Sequence, residues 1–402
     1  MKYLLTAFSW LVYILTLGRL KYSRPVEGNA ETMSLGEKLW WGYKFYGHPI
    51  HEPERNKGIR EHFEANPPTG FIAAADDSID VDSLPSLTIG LAGDILPVKN
   101  LEELSPKHLD NVRDFFQRAD IRCANLESPV HPGRPLNQPS EDISAPPEMN
   151  NSPETVEFLL QRTRADLGPT VFSTANNHSL DQGPEGVVTT LDFLDERGLL
   201  HTGTARSPEE ADTLLLVEEK GFKIAFLSWT FGLNGKKLPA GQEYLVNTFR
   251  INLPGIDISP VTKQVDKARQ SGADFVILLV HWGLENESFP LASQIETAHR
   301  LAASGIDVIC GNHPHTSQPA ERYVWQKQAD SMEQEDDEVH EQEDSVVQES
   351  LILYALGDLV SPLAGLGLGS KTIIVELKLL RRNDGKVVIY DANLEHIDSL
   401  ER

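Results

Sequence analysis

The sequence predicts an α/β fold, on three observations. From residue 87 onward, strand-like apolar runs alternate with runs whose apolar residues recur at spacings of three and four, the period of an amphipathic helix. Pro153, Pro184 and Pro260 stand at the starts of three helical runs, where a missing backbone N–H is tolerated and the fixed φ already suits a helix. The last runs are strands with no helix between them, so the alternation finishes in β-hairpins.

Taken in order, Leu87-Thr88-Ile89-Gly90-Leu91-Ala92-Gly93 reads as a buried strand. Further strands fall at 121–125, 170–174, 222–229, 275–281, 308–310, 351–356, 372–379 and 386–392, and helices at 108–119, 153–165, 184–197, 260–270 and 288–304. Between Asp330 and Glu349 lie ten carboxylates with no Lys or Arg. A segment so charged and so poor in bulky apolar residues does not offset the entropy of ordering, so residues 328–350 read as an acidic disordered insertion between two strands. There is no internal repeat.

Ahead of this body lie two appendages. Tyr3 to Gly18 is an uncharged apolar stretch of 16 residues, somewhat short of the roughly 20 that span a bilayer as a helix. Residues 1–24 therefore read as a hydrophobic anchor or signal-like segment, left uncleaved because an A-x-A arrangement is missing, with a helix docked on the protein itself as the rival. Arg19, Lys21 and Arg24 follow the stretch and argue for a body on the cytoplasmic side. Residues 25–86 carry Trp40, Trp41, Tyr43, Phe45 and Tyr46 and then a polar stretch without strand period. They read as an appended juxtamembrane segment whose aromatics lie at a membrane interface or pack on the main domain.

Composition narrows the function. The chain has 402 residues, 40% of them hydrophobic, enough for one large domain with appendages, here 87–395. A formal net charge of -24 makes nucleic acid a poor partner, since binding to a phosphate backbone draws on Lys and Arg. Two cysteines, Cys123 and Cys310, each end an apolar run and read as small buried thiols; a disulfide framework is excluded by count.

The chemistry gathers at strand ends, where ligand sites of α/β folds lie. Gly93-Asp94 ends the first strand, Asn125-Leu126-Glu127 the second and Ala175-Asn176-Asn177-His178 the third, while His281-Trp282-Gly283 and Gly311-Asn312-His313-Pro314-His315 end two later ones. Singly, Gly-Asp is common turn chemistry and a strand-end His is more often structural. Together, carboxylate, amide oxygen and imidazole without thiolate suit divalent Mn, Fe or Zn, and there are enough groups for two ions. Two such ions roughly 3.5–4 Å apart can hold a nucleophilic hydroxide and stabilise negative charge on a phosphoryl or acyl oxygen, so hydrolysis is the reaction class served.

That order of motifs over about 87–380 resembles the CapA proteins of poly-γ-glutamate capsule biosynthesis, a branch of the calcineurin-like metallophosphoesterases. Further matches are Ser179-Leu180-Asp181-x-Gly183, Ser228-Trp229-Thr230 with Asn234-Gly235, and Ala355-Leu356-Gly357-Asp358. The resemblance implies a metallophosphoesterase-like four-layer αββα sandwich, two β-sheets flanked by helices. It implies that Asp94 and His315 hold one metal, that His281, His313 and Asn177 hold the other, and that Glu127 stands near both. It gives His178 the general-acid role toward the leaving group, and Lys99 and Asn176 contacts to an anionic substrate. Asp181, Glu285 and Asp358 are candidates to orient the ligating imidazoles. Where the wider superfamily has Asp-x-His this chain has Asp94-Ile95-Leu96, and Glu127 replaces a bridging Asp.

The function this implies is a metal-dependent protein of capsule or polyglutamate synthesis or export, with a dinuclear site capable of hydrolysis and an extracytoplasmic, membrane-anchored body. Its partners would be an anionic polymer or a phosphate-containing small substrate, polymer-synthase membrane subunits, and the membrane through residues 1–24. The rivals are a non-catalytic accessory or scaffold of a polymer synthase, and a metal-dependent phosphoesterase of another substrate.

Overall fold

The computed structural model describes residues 2–24, 26–28, 32–72, 83–98, 106–136, 148–163, 168–327, 346–361 and 371–398. Its strands are β1 (Ser86–Ile95), β2 (Ile121–Leu126), β3 (Thr170–Ser173), β4 (Leu200–Thr202), β5 (Leu215–Glu219), β6 (Phe222–Thr230), β7 (Phe275–His281), β8 (Val308–Asn312), β9 (Ala320–Lys327), β10 (Val346–Leu353), β11 (Asp358–Val360), β12 (Lys371–Arg381) and β13 (Val387–Asp398). Its helices are α1 (Lys2–Leu15), α2 (Leu35–Gly47), α3 (Ile59–Ala65), α4 (Pro106–Arg118), α5 (Pro153–Thr163), α6 (Gly183–Asp195), α7 (Pro208–Asp212), α8 (Ser259–Gln270) and α9 (Ala292–Ala303).

The strands form two sheets, one ordered β13-β12-β1-β2-β3-β4 with β11 beside β1, the other β5-β6-β7-β8-β10-β9. Side-chain alternation explains why they stack. On β7, Phe275, Ile277 and Leu279 enter a core shared with Leu87, Ile89 and Leu91 of β1, whereas Val276, Leu278 and Val280 enter a second core with Val261 and Val265 of α8 and Ala298 and Leu301 of α9. A strand buried on both faces must be apolar at every position. The outer face of the first sheet is covered by Val112, Phe115 and Phe116 of α4, Val156 and Leu159 of α5 and Phe193 and Leu194 of α6. Helices, sheet, sheet and helices make the four layers expected. Cys123 and Cys310 are unpaired, buried thiols in the core between the sheets.

The closing hairpin falls where the sequence places it, β12 antiparallel to β13, and a second one pairs β9 antiparallel to β10. The strands β4, β5, β9 and β11 carry no clear strand period, and only the structure shows them. Residues 328–345, most of the acidic insertion, lie outside the described residues. Its end needs correction: β10 begins at Val346, so residues 346–350 are ladder rather than loop. The hydrophobic side of that ladder, Leu351 and Leu353, seats it in the core between the sheets.

The described part of the appended segment carries two helices, α2 and α3. Ser34 and Glu37 close a capping box at the start of α2, and Tyr43 of α2 stacks on Tyr13 of α1 with centroids 4.2 Å apart. Trp40 is fully buried and donates its indole N–H to Glu287 Oε1 at 2.6 Å. Lys44, also fully buried, lies 3.2 Å from Glu287 Oε2 and donates to the carbonyls of Pro49 and His51. These aromatics pack on the main domain, since an indole N–H finds a carboxylate there.

Burial holds the Glu287 carboxyl up at about 7, against the counter-effects of Lys44 and the Trp40 indole. A carboxyl raised in the folded state favours folding while protonated, a contribution complete below about pH 4.5 and lost as pH rises through about 7. Wild-type stability relative to Glu287→Gln should therefore fall by on the order of 2–3 kcal/mol between pH 4.5 and 8. Urea midpoints across that range measure it, and a difference that does not change with pH would contradict the assignment.

Candidate metal centre

Parallel pairing brings the motif-bearing strand ends to one edge. In register, Asp94 sits opposite Asn125 and Asp358, His281 opposite Asn312, and Thr230 opposite His281. On β1 the register slips by one residue between Leu91 and Asp94, a bulge that re-aims the Asp94 side chain at the strand's end. Gly93 sits in it because Asp94 N–H donates to Gly357 O at 3.0 Å, and a Cβ on Gly93 would stand 1.8 Å from that oxygen. Gly311 on β8 has the same reason: a Cβ there would meet Tyr354 O at 2.1 Å.

The site itself is buried and crowded. Asp94, Glu127 and Asp358 are all 0% exposed, and Asn177, His281 and His313 are 1% exposed. Ligand-type atoms of Asp94, Glu127 and His281, of Glu127, His313 and His315, and of Asp94, His315 and Asp358 come within 4.8 Å of one another in each group. His281 Nε2 lies 2.9 Å from Asn177 Oδ1 and 3.5 Å from Glu127 Oε1, and Asn125 donates to its Nδ1 at 3.3 Å. Asn125 also donates to Asp94 Oδ1 at 2.7 Å, and the His313 backbone N–H to Asp94 Oδ2 at 3.1 Å. His313 and His315 have φ of 101° and 55°, left-handed values that β-carbon sterics resist. The turn is bent so that both rings enter the same space.

Electrostatics follow from burial. Burial, then Glu127 and Asp358, hold the Asp94 carboxyl well above the carboxylate range, and burial puts Glu127 at about 7. Burial, then the neighbouring imidazoles, push His281 and His313 well below the usual imidazole value. For His315 burial acts against the cation, but Asp358 and Glu127 outweigh it and the net shift is well upward. Both oxygens of Glu127, both ring nitrogens of His313, Asn312 Oδ1 and Asp358 Oδ2 are buried without a hydrogen-bond partner. Orphaned lone pairs of carboxylate and imidazole gathered within one cluster are what divalent cations satisfy, so these residues fit a divalent metal.

Of the other residues expected here, His178 Nδ1 and Asp181 Oδ2 are 2.7 Å apart, and His315 Nδ1 and Asp358 Oδ1 are 2.9 Å apart. Each ring is thereby fixed in orientation. Two expectations need correction. Asn176 is fully buried, with Nδ2 donating to Leu126 O at 2.8 Å and Oδ1 accepting from the His178 backbone N–H at 3.1 Å, so its amide braces the loop rather than meeting substrate. Among the described residues Glu285 makes no hydrogen bond to an imidazole; it accepts from the Trp41 indole at 3.2 Å. Lys99 lies outside the described residues.

The family model for the bacterial capsule synthesis protein PGA_cap matches residues 88–363, the span that holds every motif above. The chain belongs to this family. It is 27% identical over 59% of its length to the PGA biosynthesis protein CapA of Bacillus subtilis and 25% identical over 59% to the capsule biosynthesis protein CapA of Bacillus anthracis. The matched parts span 60% and 56% of those relatives' own lengths. Among solved structures, a novel phosphatase from Mycoplasma pneumoniae covers 78% of this chain and 94% of its own, with TM-score 0.40 and 13% identity.

Several site residues of this PGA_cap chain carry no sequence expectation of their own. Asn125 and Asn312 sit inside quoted motifs, and Asn234 Nδ2 lies 3.5 Å from His178 Nε2 while its Oδ1 accepts from Asn177 at 3.1 Å. Phe231 packs on the His313 ring at 4.6 Å, and Lys236 lies 3.1 Å from Asp181 Oδ1. A lone Phe after a strand gives no signal. Gly311→Ala should cost at least about 3 kcal/mol, because backbone and the Trp282 indole, not a flexible tip, block the new methyl. Gly42→Ala, in α2 with open space around it, should instead stabilise by about 0.5–1 kcal/mol. Denaturant unfolding of both variants checks the pair, and equal effects would refute the close-approach reading.

Proposed function

We propose that the chain is a metal-dependent hydrolase of an anionic substrate in capsule polymer synthesis, with a dinuclear Mn, Fe or Zn centre. The observation that carries this is the set of buried, unpartnered lone pairs on Glu127, His313, Asn312 and Asp358. Asp94 and His315 would hold one ion and His281, His313 and Asn177 the other, with Glu127 between them. Such ions supply an activated water and neutralise charge on a phosphoryl or acyl oxygen.

The protein's own residues do the rest. His178 is buried beside this cluster, and although burial opposes its cation, Asp181 outweighs that and its pKa is raised. An imidazolium oriented by Asp181 can give a proton from Nε2 to a leaving group. Asp358 fixes the His315 tautomer by accepting from Nδ1, which leaves Nε2 for a ligand. The buried setting excludes bulk water around the reacting bond.

Full-length protein should contain bound Mn, Fe or Zn and turn over a phosphodiester, phosphomonoester or γ-glutamyl model substrate. His281→Ala should lower kcat/KM by about 100-fold or more together with metal content. No turnover on any of the three by metal-loaded protein, or unchanged metal content in His281→Ala, would sink the proposal.

We further propose that the membrane contact is peripheral. Among the described residues no helix is long and apolar enough to cross a membrane. Leu4, Phe8, Leu11 and Leu15 form an exposed apolar stripe at helical spacing, while Val12 and Tyr13 turn toward α2. With one apolar side exposed and the other held on the protein, α1 would lie in the interface plane. Wild-type protein should float with anionic liposomes and a Leu4→Asp, Phe8→Asp, Leu11→Asp variant should not; equal flotation would refute this placement.

A further inference from the structure

Away from the strand-end site, three titratable groups from distant parts of the chain meet on the outer side of the second sheet. His62 of α3 places Nε2 2.7 Å from Glu321 Oε2, and His299 of α9 places Nε2 2.8 Å from Glu321 Oε1. Their ligand-type atoms all lie within 4.8 Å of one another. We propose that His62, His299 and Glu321 form a separate divalent metal site of zinc type, which fastens α3 of the N-terminal segment to α9 and β9.

Donor chemistry and preorganisation support it. Two imidazole nitrogens and one carboxylate form a donor set that zinc accepts, with a fourth position left to water. Glu321 is 1% exposed, and Tyr354 O–H donates to its Oε1 at 2.6 Å, the kind of outer hydrogen bond that orients a ligating carboxylate. The His299 ring stacks on Tyr323 with centroids 4.0 Å apart, and the His62 ring stands edge-on to Phe63 at 5.1 Å. Both rings are about a quarter exposed, which gives a cation an entry path from solvent. Tetrahedral zinc with bonds of about 2.0–2.1 Å sets its ligands about 3.3 Å apart, so the rings would draw back from the carboxylate by about 0.5 Å.

The site would explain how a helix of only 7 residues is held. Ile59 and Phe63 of α3 enter the core under α8 and α9, and His62, adjacent to Phe63, adds a polar tie on the same side. Without metal, the two ring N–H groups donate to the carboxylate, a weaker tie of the same geometry. On metal binding each ring would carry its proton on Nδ1 instead, which frees the Nε2 lone pair for the ion without changing the number of protons bound.

The test uses full-length protein stripped of metal with EDTA and titrated with Zn2+, and with Co2+ as an absorbing probe. Wild type should bind one equivalent more than His62→Gln and one more than His299→Gln, the affinity of that equivalent falling by about 100-fold or more in each. Zn2+ should slow proteolysis within residues 48–58, which lead into α3, in wild type and in His281→Ala but not in His62→Gln or His299→Gln. Retention of this equivalent in His281→Ala separates the site from the strand-end centre. Equal stoichiometry in wild type and both glutamine variants, or protection by Zn2+ that survives them, would overturn the proposal.

Discussion

Between β10 and β11 the chain leaves one sheet and joins the other, and it does so pressed against two glycines. Leu356 N–H donates to Gly311 O on β8 at 3.1 Å, while Gly357 O accepts from Asp94 N–H on β1 at 3.0 Å. Ile373 N–H and Thr372 Oγ1 both donate to Leu356 O, tying β12 to the same crossing. This crossing locks the sheets together at the edge where their parallel strands end. Asp94, Glu127 and Asn177 come from the first sheet, and His281, His313 and His315 from the second. A shift of either sheet would separate the halves of the candidate site.

The close approach also sets the electrostatic problem of the site. It carries Asp358 directly to Asp94 and His315, adding a third buried carboxylate to a space that already holds Asp94 and Glu127. Buried carboxylates without compensation are costly, which is why burial and mutual repulsion raise Asp94 and burial raises Glu127. The positive φ of His313 is a second cost, about 1–3 kcal/mol for strained backbone. Both are borne at one place, where Glu127 and His313 meet.

Much of the architecture was readable before the structure because its signals are local. Strands buried on both faces are continuously apolar, and prolines mark helix starts, so β1, β6, β7, β8 and the helices α5, α6 and α8 could be read directly. The short strands β4 and β11 have three residues each, too few to show a period, and form only because a longer neighbour offers its ladder. Residues 25–86 look featureless for a different reason. Their helices are tied to distant residues, Trp40 to Glu287 and His62 to Glu321, and a contact across more than 240 positions leaves no periodic trace.

At the site the same division holds. The sequence by itself determined the ligand types, their order and their positions at strand ends, because parallel pairing sends every strand end to one edge. Which side chains meet was decided only by tertiary packing. Asn176 turns inward to brace a loop, Glu285 turns to Trp41, and Asp181 and Asp358 each reach a ring nitrogen. Direction of a side chain from a turn depends on φ values such as those of His313 and His315, and on carbonyls from another strand, none of which are local properties of the residues.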